Sequence, residues 1–169
     1  MGLLDFFKRK TKPVFDITVE TDIRRIIDNG ILFEDIDYFL SWNLPVEVLK
    51  DKANGIKKFF ADRAVYIWGE RTILKGLKLP LSTVFWNHKE NSVTRLFRSV
   101  EFRVEGSEQS NEYLELIKQH LESLLGPANS KNVTETEAEY EWVVIDTLLY
   151  LHFYEQHHTH KLHFEVSKL

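Results

Sequence analysis

The stretch LLYLHFYEQHHTHKLHFEV, residues 148–166, limits the possible folds of this chain more than any other. Leu149, Leu151 and Phe153 share one parity before a polar QHHT loop, and Leu162, Phe164 and Val166 share one parity after it. Alternation of apolar and polar side chains has period two, and a β-strand is the backbone that puts every second side chain on one face. Two such strands joined by a short loop make an antiparallel hairpin. A four-residue QHHT loop pairs Glu155 with His160, which sets Phe153 opposite Leu162, Leu151 opposite Phe164 and His152 opposite His163. The apolar face must be buried, so the hairpin belongs to a larger sheet covered on that side.

Helical spacing dominates early in the chain and period two later. Thr21 and Asp22 suit the cap of a short helix that carries Ile23, Ile26 and Ile27 and stops at Asn29-Gly30. FEDIDYFL puts Phe33, Ile36, Phe39 and Leu40 at helical spacing. LPVEVLKDKANG reads as a further helix, capped by Asn43, with Pro45 in its first turn. AVYIW (64–68), TILKGLKL (72–79), STVFW (82–86) and VTRLFRSVEFRV (93–104) read as strands, with NHKENS as a turn. The last of these places Leu96, Val100, Phe102 and Val104 on one side, interrupted by Arg98, which suggests a bulge or an edge. A strong helix follows, capped by Ser107 or Ser110, with Leu114, Ile117, Leu121 and Leu124 on one face and Gly126-Pro127 at its end. ANSKN reads as a loop, and TETEAEYEWVVI, TLLYLHFYE and KLHFEVS as the closing strands.

A helix closed by glycine and followed by a meander thus occurs twice, over 44–104 and 108–169, with Trp68 and Trp142 in the first meander strand of each. The expectation is an α+β protein: an antiparallel meander sheet of about six to seven strands with helices packed on one face. It occupies a single domain, 14–169, behind a basic and apolar segment, 1–13. Leu114, Ile117, Leu121, Leu151, Phe153, Leu162 and Phe164 are expected to be buried together.

Composition narrows the function. Of 169 residues, 43% are hydrophobic and 13% aromatic, enough for a packed core. With no cysteine the chain has no disulfide, thiolate zinc site, iron–sulfur cluster or cysteine nucleophile, which fits a reducing, cytoplasmic setting. A net charge of −4 gives no general affinity for nucleic acid. No apolar run is long enough for an integral membrane span. In MGLLDFFKRKTK the charges follow the apolar residues, the reverse of a signal peptide, and Phe6 stands where a myristoylation signal needs Ser or Thr. That segment reads as an apolar helix turn packed on the body and followed by a basic linker, or as a short amphipathic contact with a membrane. GxGxxG, GxxxxGK[ST], GxSxG and HExxH are all missing, so no catalytic or cofactor-binding residue is assigned and no cofactor is expected.

Two clusters remain. His152 and His163 meet on the polar side of the hairpin and are the candidate metal ligands. Structural or catalytic zinc needs three or four protein ligands, and His157, His158 and His160 sit in or beside the turn, so the stretch reads first as an exposed polar hairpin tip. Glu135, Glu137, Glu139 and Glu141 alternate with Thr136, Ala138, Tyr140 and Trp142. On a strand they form an acidic ladder that can meet a basic partner, or a charged edge that blocks sheet-to-sheet aggregation. Arg24, Arg25, Arg95, Arg98 and Arg103 read as surface cations. Trp42, Trp68, Trp86 and Trp142 read as core residues or as the lining of a cleft.

The rhythm W…LPVEVL…G, strands, YLELIKQHLESLLGPA, then YEW…LLYLHFY…KLHFEV resembles that of small bacterial α+β proteins, some of them immunity or inhibitor proteins built from helix-plus-meander units. The resemblance carries over no functional residue. The expected function is non-catalytic binding of another, basic, protein through a sheet face and the acidic strand, in the manner of an immunity or inhibitor protein. The alternatives are a small-molecule binder with an aromatic-lined pocket between sheet and helices, and a His-based metal enzyme.

Overall fold

A computed structural model describes residues 15–49, 52–59, 63–86 and 96–169. The segment 1–13, the turn 87–92 and Arg95 lie outside the described residues, and of Trp86 only the backbone is described.

The alternating stretches build one antiparallel sheet. Its strands are β3 (Gly55–Phe59), β4 (Arg63–Ile73), β5 (Leu77–Trp86), β6 (Ser99–Glu105), β7 (Ser130–Val133), β8 (Glu137–Val144), β9 (Thr147–Gln156) and β10 (Thr159–Lys168). Their spatial order is β3-β4-β5-β6-β10-β9-β8-β7. Two meanders, β3 to β6 and β7 to β10, therefore join edge to edge through their last strands. The helix α3 (Ser107–Leu125) carries the chain from β6 in mid-sheet to β7 at the far edge. A smaller hairpin, β1 (Gly30–Phe33) and β2 (Tyr38–Ser41), follows α1 (Ile23–Asn29), and α2 (Val46–Leu49) precedes β3. The protein is α+β with a meander sheet.

The C-terminal hairpin has the expected register, with Phe153 opposite Leu162, Leu151 opposite Phe164 and His152 opposite His163. Its turn is tighter than expected. Gln156 pairs with Thr159, leaving only His157 and His158 in the turn, with φ of 53° and 60°. Positive φ at both central residues is the two-residue turn whose twist matches the flanking strands.

One sheet face is buried. Leu114, Ile117 and Leu121 of α3 join Leu151, Phe153, Leu162 and Phe164 in a single apolar cluster. Each such side chain contributes about 1.5–3 kcal/mol through burial. Three indoles are buried there, and each bonds a neighbouring element. Trp42 Nε1 donates to Ile27 O (2.8 Å), Trp68 Nε1 to Thr83 Oγ1 (2.8 Å) and Trp142 Nε1 to Gly126 O (3.0 Å).

Several elements differ from the expectation, each for an identifiable reason. FEDIDYFL is not a helix: Phe33 ends β1, a 3-10 turn spans Glu34–Ile36, and Tyr38 begins β2. The close pairing of these strands needs Gly30, where a Cβ would overlap the Leu40 carbonyl. The helix expected over 44–54 is a single turn, Val46–Leu49. The break expected between residues 68 and 72 is a bulge: pairing shifts between Ile67 and Gly69, Gly69 takes φ 76°, and β4 continues to Ile73. The true turn is Leu74 to Gly76, inside the expected strand 72–79. Leu96 is not in β6, and its only pairing among the described residues is an isolated bridge to Pro45. Gly106, not a serine, caps α3, while Ser110 is buried in the helix and donates to His160 O (3.2 Å). ANSKN is not all loop, because Ser130 starts β7. Trp68 and Trp142 consequently lie in the second strand of each meander. The short strands β3 and β7 precede them and form the two sheet edges, β7 carrying the exposed Lys131. Short edge strands resist pairing with another sheet.

Candidate functional site

The sheet face opposite α3 has no described helix on it, and its side chains sit in cross-strand rows. One row runs Glu139, His152, His163, Arg103 across β8, β9, β10 and β6. A second runs Glu137, Tyr154, Lys161, Glu105, and a third Glu141, Tyr150, Glu165, Glu101. Facing residues on neighbouring strands have Cβ atoms about 5 Å apart, so these side chains must interact. The rows bring six carboxylates together with two fixed cations, Arg103 and Lys161.

The contacts run along diagonals. His152 Nε2 lies 2.7 Å from Glu137 Oε1 and 3.8 Å from Glu139 Oε1. Tyr150 OH donates to Glu139 Oε1 at 2.7 Å. That bond holds the Glu139 carboxyl below its ordinary range, while burial and then the same carboxylate push the Tyr150 phenol up. The His152 ring stacks on Tyr154 with centroids 4.5 Å apart. Lys161 Nζ donates to Glu105 Oε1 (2.9 Å).

On the β6–β10 side, Arg103 donates to Glu101 Oε2 through Nε (3.1 Å) and Nη2 (2.9 Å). His163 Nε2 is 3.3 Å from Glu101 Oε2 and 3.7 Å from Glu165 Oε2. It is fully buried and makes no aligned hydrogen bond. Burial pushes the Glu101 carboxyl up, but attraction from His163 and Arg103 outweighs it, so the group sits below its usual range. A catalytic acid needs its carboxyl raised toward neutrality, and Glu101 and Glu139 are both displaced the other way.

The ladder is placed largely as its alternation requires. Glu137, Glu139 and Glu141 point to the open face of β8, while Ala138, Tyr140 and Trp142 are buried. Two corrections apply. Glu135 lies in an exposed bend before the strand, and β8 is not an edge strand, because β7 pairs outside it. The expected exposed histidine tip is correct for His157 and His158 only. His152 and His163 are half-buried in mid-sheet, and each sits within a separate His–Glu–Glu group.

Sequence reasoning missed Glu101 as a neighbour of His163. Its alternation with Arg103 and Glu105 marks the face, but nothing local shows that β6 pairs with β10. Arg25 pairs with Glu20 (2.7 Å), and Arg24 Nη2 donates to Leu125 O (2.9 Å). A separate cavity of about 160 Å³ lies beside α1 and the β4–β5 turn, lined by Ile23, Ile27, Ile31 and Leu74 together with Glu34 and Lys75. No described helix is long and apolar enough to cross a membrane. No family model, no curated protein and no solved structure matches the chain.

Proposed function

We propose that the open face of β8, β9, β10 and β6 is a recognition surface for a basic protein, and that the chain acts by binding rather than by catalysis. The observation that carries this reading is the concentration of six carboxylates around Tyr150 and Tyr154 on a face that no described helix covers. Carboxylates fixed on a sheet raise a negative potential that steers a basic partner into encounter. Tyrosines held in place by neighbouring side chains give contact area at little entropic cost. A neutralising immunity or inhibitor protein against a basic toxin is the specific form of the proposal. The resemblance in sequence rhythm supports it. An aromatic-lined small-molecule pocket gains no comparable support among the described residues: the cavity beside α1 is mainly aliphatic, and Trp42, Trp68 and Trp142 are buried with their N–H groups bonded.

The test is to capture a partner on the immobilised protein and map its footprint by hydrogen exchange. Protection should fall on the hairpin ends and loops that flank the open face of β8, β9 and β10, and a Glu137→Gln/Glu139→Gln/Glu141→Gln variant should retain less partner. A footprint on α3 or on the α1–β1 side would contradict the reading.

A further inference from the structure

We propose that Glu101, His163 and Glu165 form a binding site for one divalent cation of the zinc class. Glu101 and Glu165 face each other across β6 and β10, and His163 is two residues from Glu165 on the same face of β10. One donor atom from each lies within 4.8 Å of the others. Two features of the group favour a bound cation. The first is His163 Nε2, a buried ring nitrogen 3.3 Å from Glu101 Oε2 and 3.7 Å from Glu165 Oε2 that has aligned hydrogen-bond geometry to neither. A buried ring nitrogen so placed is poorly satisfied by misaligned contacts, and a metal held between the same groups satisfies it better. The second is the pairing of like charges. Directly opposed carboxylates destabilise a sheet. Arg103 relieves this only at Glu101 Oε2, whereas Glu165 has no lysine or arginine within ion-pair distance among the described residues.

The donor set chooses the ion. One imidazole nitrogen and two carboxylate oxygens suit a borderline cation such as Zn²⁺, while calcium and magnesium favour all-oxygen sets. The side chains of Glu101, His163 and Glu165 are 8%, 16% and 30% exposed. The site is thus closed on the Glu101 side and open on the Glu165 side, where water completes the coordination. The neighbouring group differs, because His152 Nε2 already has Glu137 at 2.7 Å and Glu139 already accepts from Tyr150. The proposal does not depend on the protein-binding role of this face.

The test is calorimetric titration of EDTA-stripped protein with Zn²⁺ alone, alongside its thermal melting. The expected result is saturable binding of one ion per chain and a melting temperature that rises with Zn²⁺. Glu165→Gln and His163→Gln should each weaken binding at least about tenfold, and His152→Gln should leave it within about twofold. The Glu165 side chain makes no hydrogen bond among the described residues, so Glu165→Gln decides the matter if His163→Gln does not fold. The proposal is overturned by an absence of saturable binding, by loss of the site in His152→Gln, or by loss in a His157→Ala/His158→Ala variant, which would place the ion at the hairpin tip.

Discussion

Leu121 is fully buried on the inner face of α3, within the same cluster as Leu151 and Phe164. Truncation there removes transfer energy and leaves a cavity, so Leu121→Ala should cost about 2–5 kcal/mol in denaturant melts. A loss below about 1 kcal/mol would mean that this helix face is not the packed one. Glu101 gives a pH-dependent expectation. Its folded-state carboxyl is below the ordinary value, so its contribution is present above the unfolded pKa of about 4.3 and is lost as pH falls through the lower folded value. Glu101→Gln resembles the protonated acid. The variant should therefore be less stable than wild type at neutral pH, and the gap should close on acidification. Urea melts across a pH series measure this, and a gap that stays constant down to pH of about 3 would contradict it.

Among the elements, the C-terminal hairpin was the most legible in the sequence. Its alternation fixed the register, because a one-residue slip would have moved Leu151 and Phe164 to the open face. The turn was not legible, because His157-His158 has none of the Asn-Gly chemistry that marks a two-residue turn. Left-handed backbone costs a non-glycine residue about 1–2 kcal/mol, so replacing the pair with Asn-Gly should stabilise the protein by about 1 kcal/mol. A lower thermal midpoint in that variant would show that the two histidines make contacts of their own. The misread elements share a cause: FEDIDYFL and LPVEVLKDKANG are short, and a few apolar residues fit both periods. For β4 the obstacle was a bulge at Gly69, which broke the alternation without ending the strand.

Across the whole molecule, fold class could be read from pattern, but the join between the meanders could not. The β6–β10 pairing brings Glu101 to His163 from distant parts of the chain, and no local periodicity encodes it. That pairing also sets the stability gradient. Amides of β9 and β10, flanked on both sides by long ladders, should exchange slowest, and those of the exposed edge β7 fastest. Fast exchange in β10 together with slow exchange in β7 would contradict this sheet order.

The joined sheet makes one continuous acidic face. The measurement that tests its role most directly is the association rate of the captured partner as a function of salt. Salt screens exposed charges beyond about 10 Å at 0.1 M, and surface charge acts mainly on the rate of encounter. Association should be fastest at low salt and slow as salt is added, and the Glu137→Gln/Glu139→Gln/Glu141→Gln variant should associate more slowly, with the largest deficit at low salt and with its fold intact. A rate that changes neither with these substitutions nor with ionic strength would contradict the account.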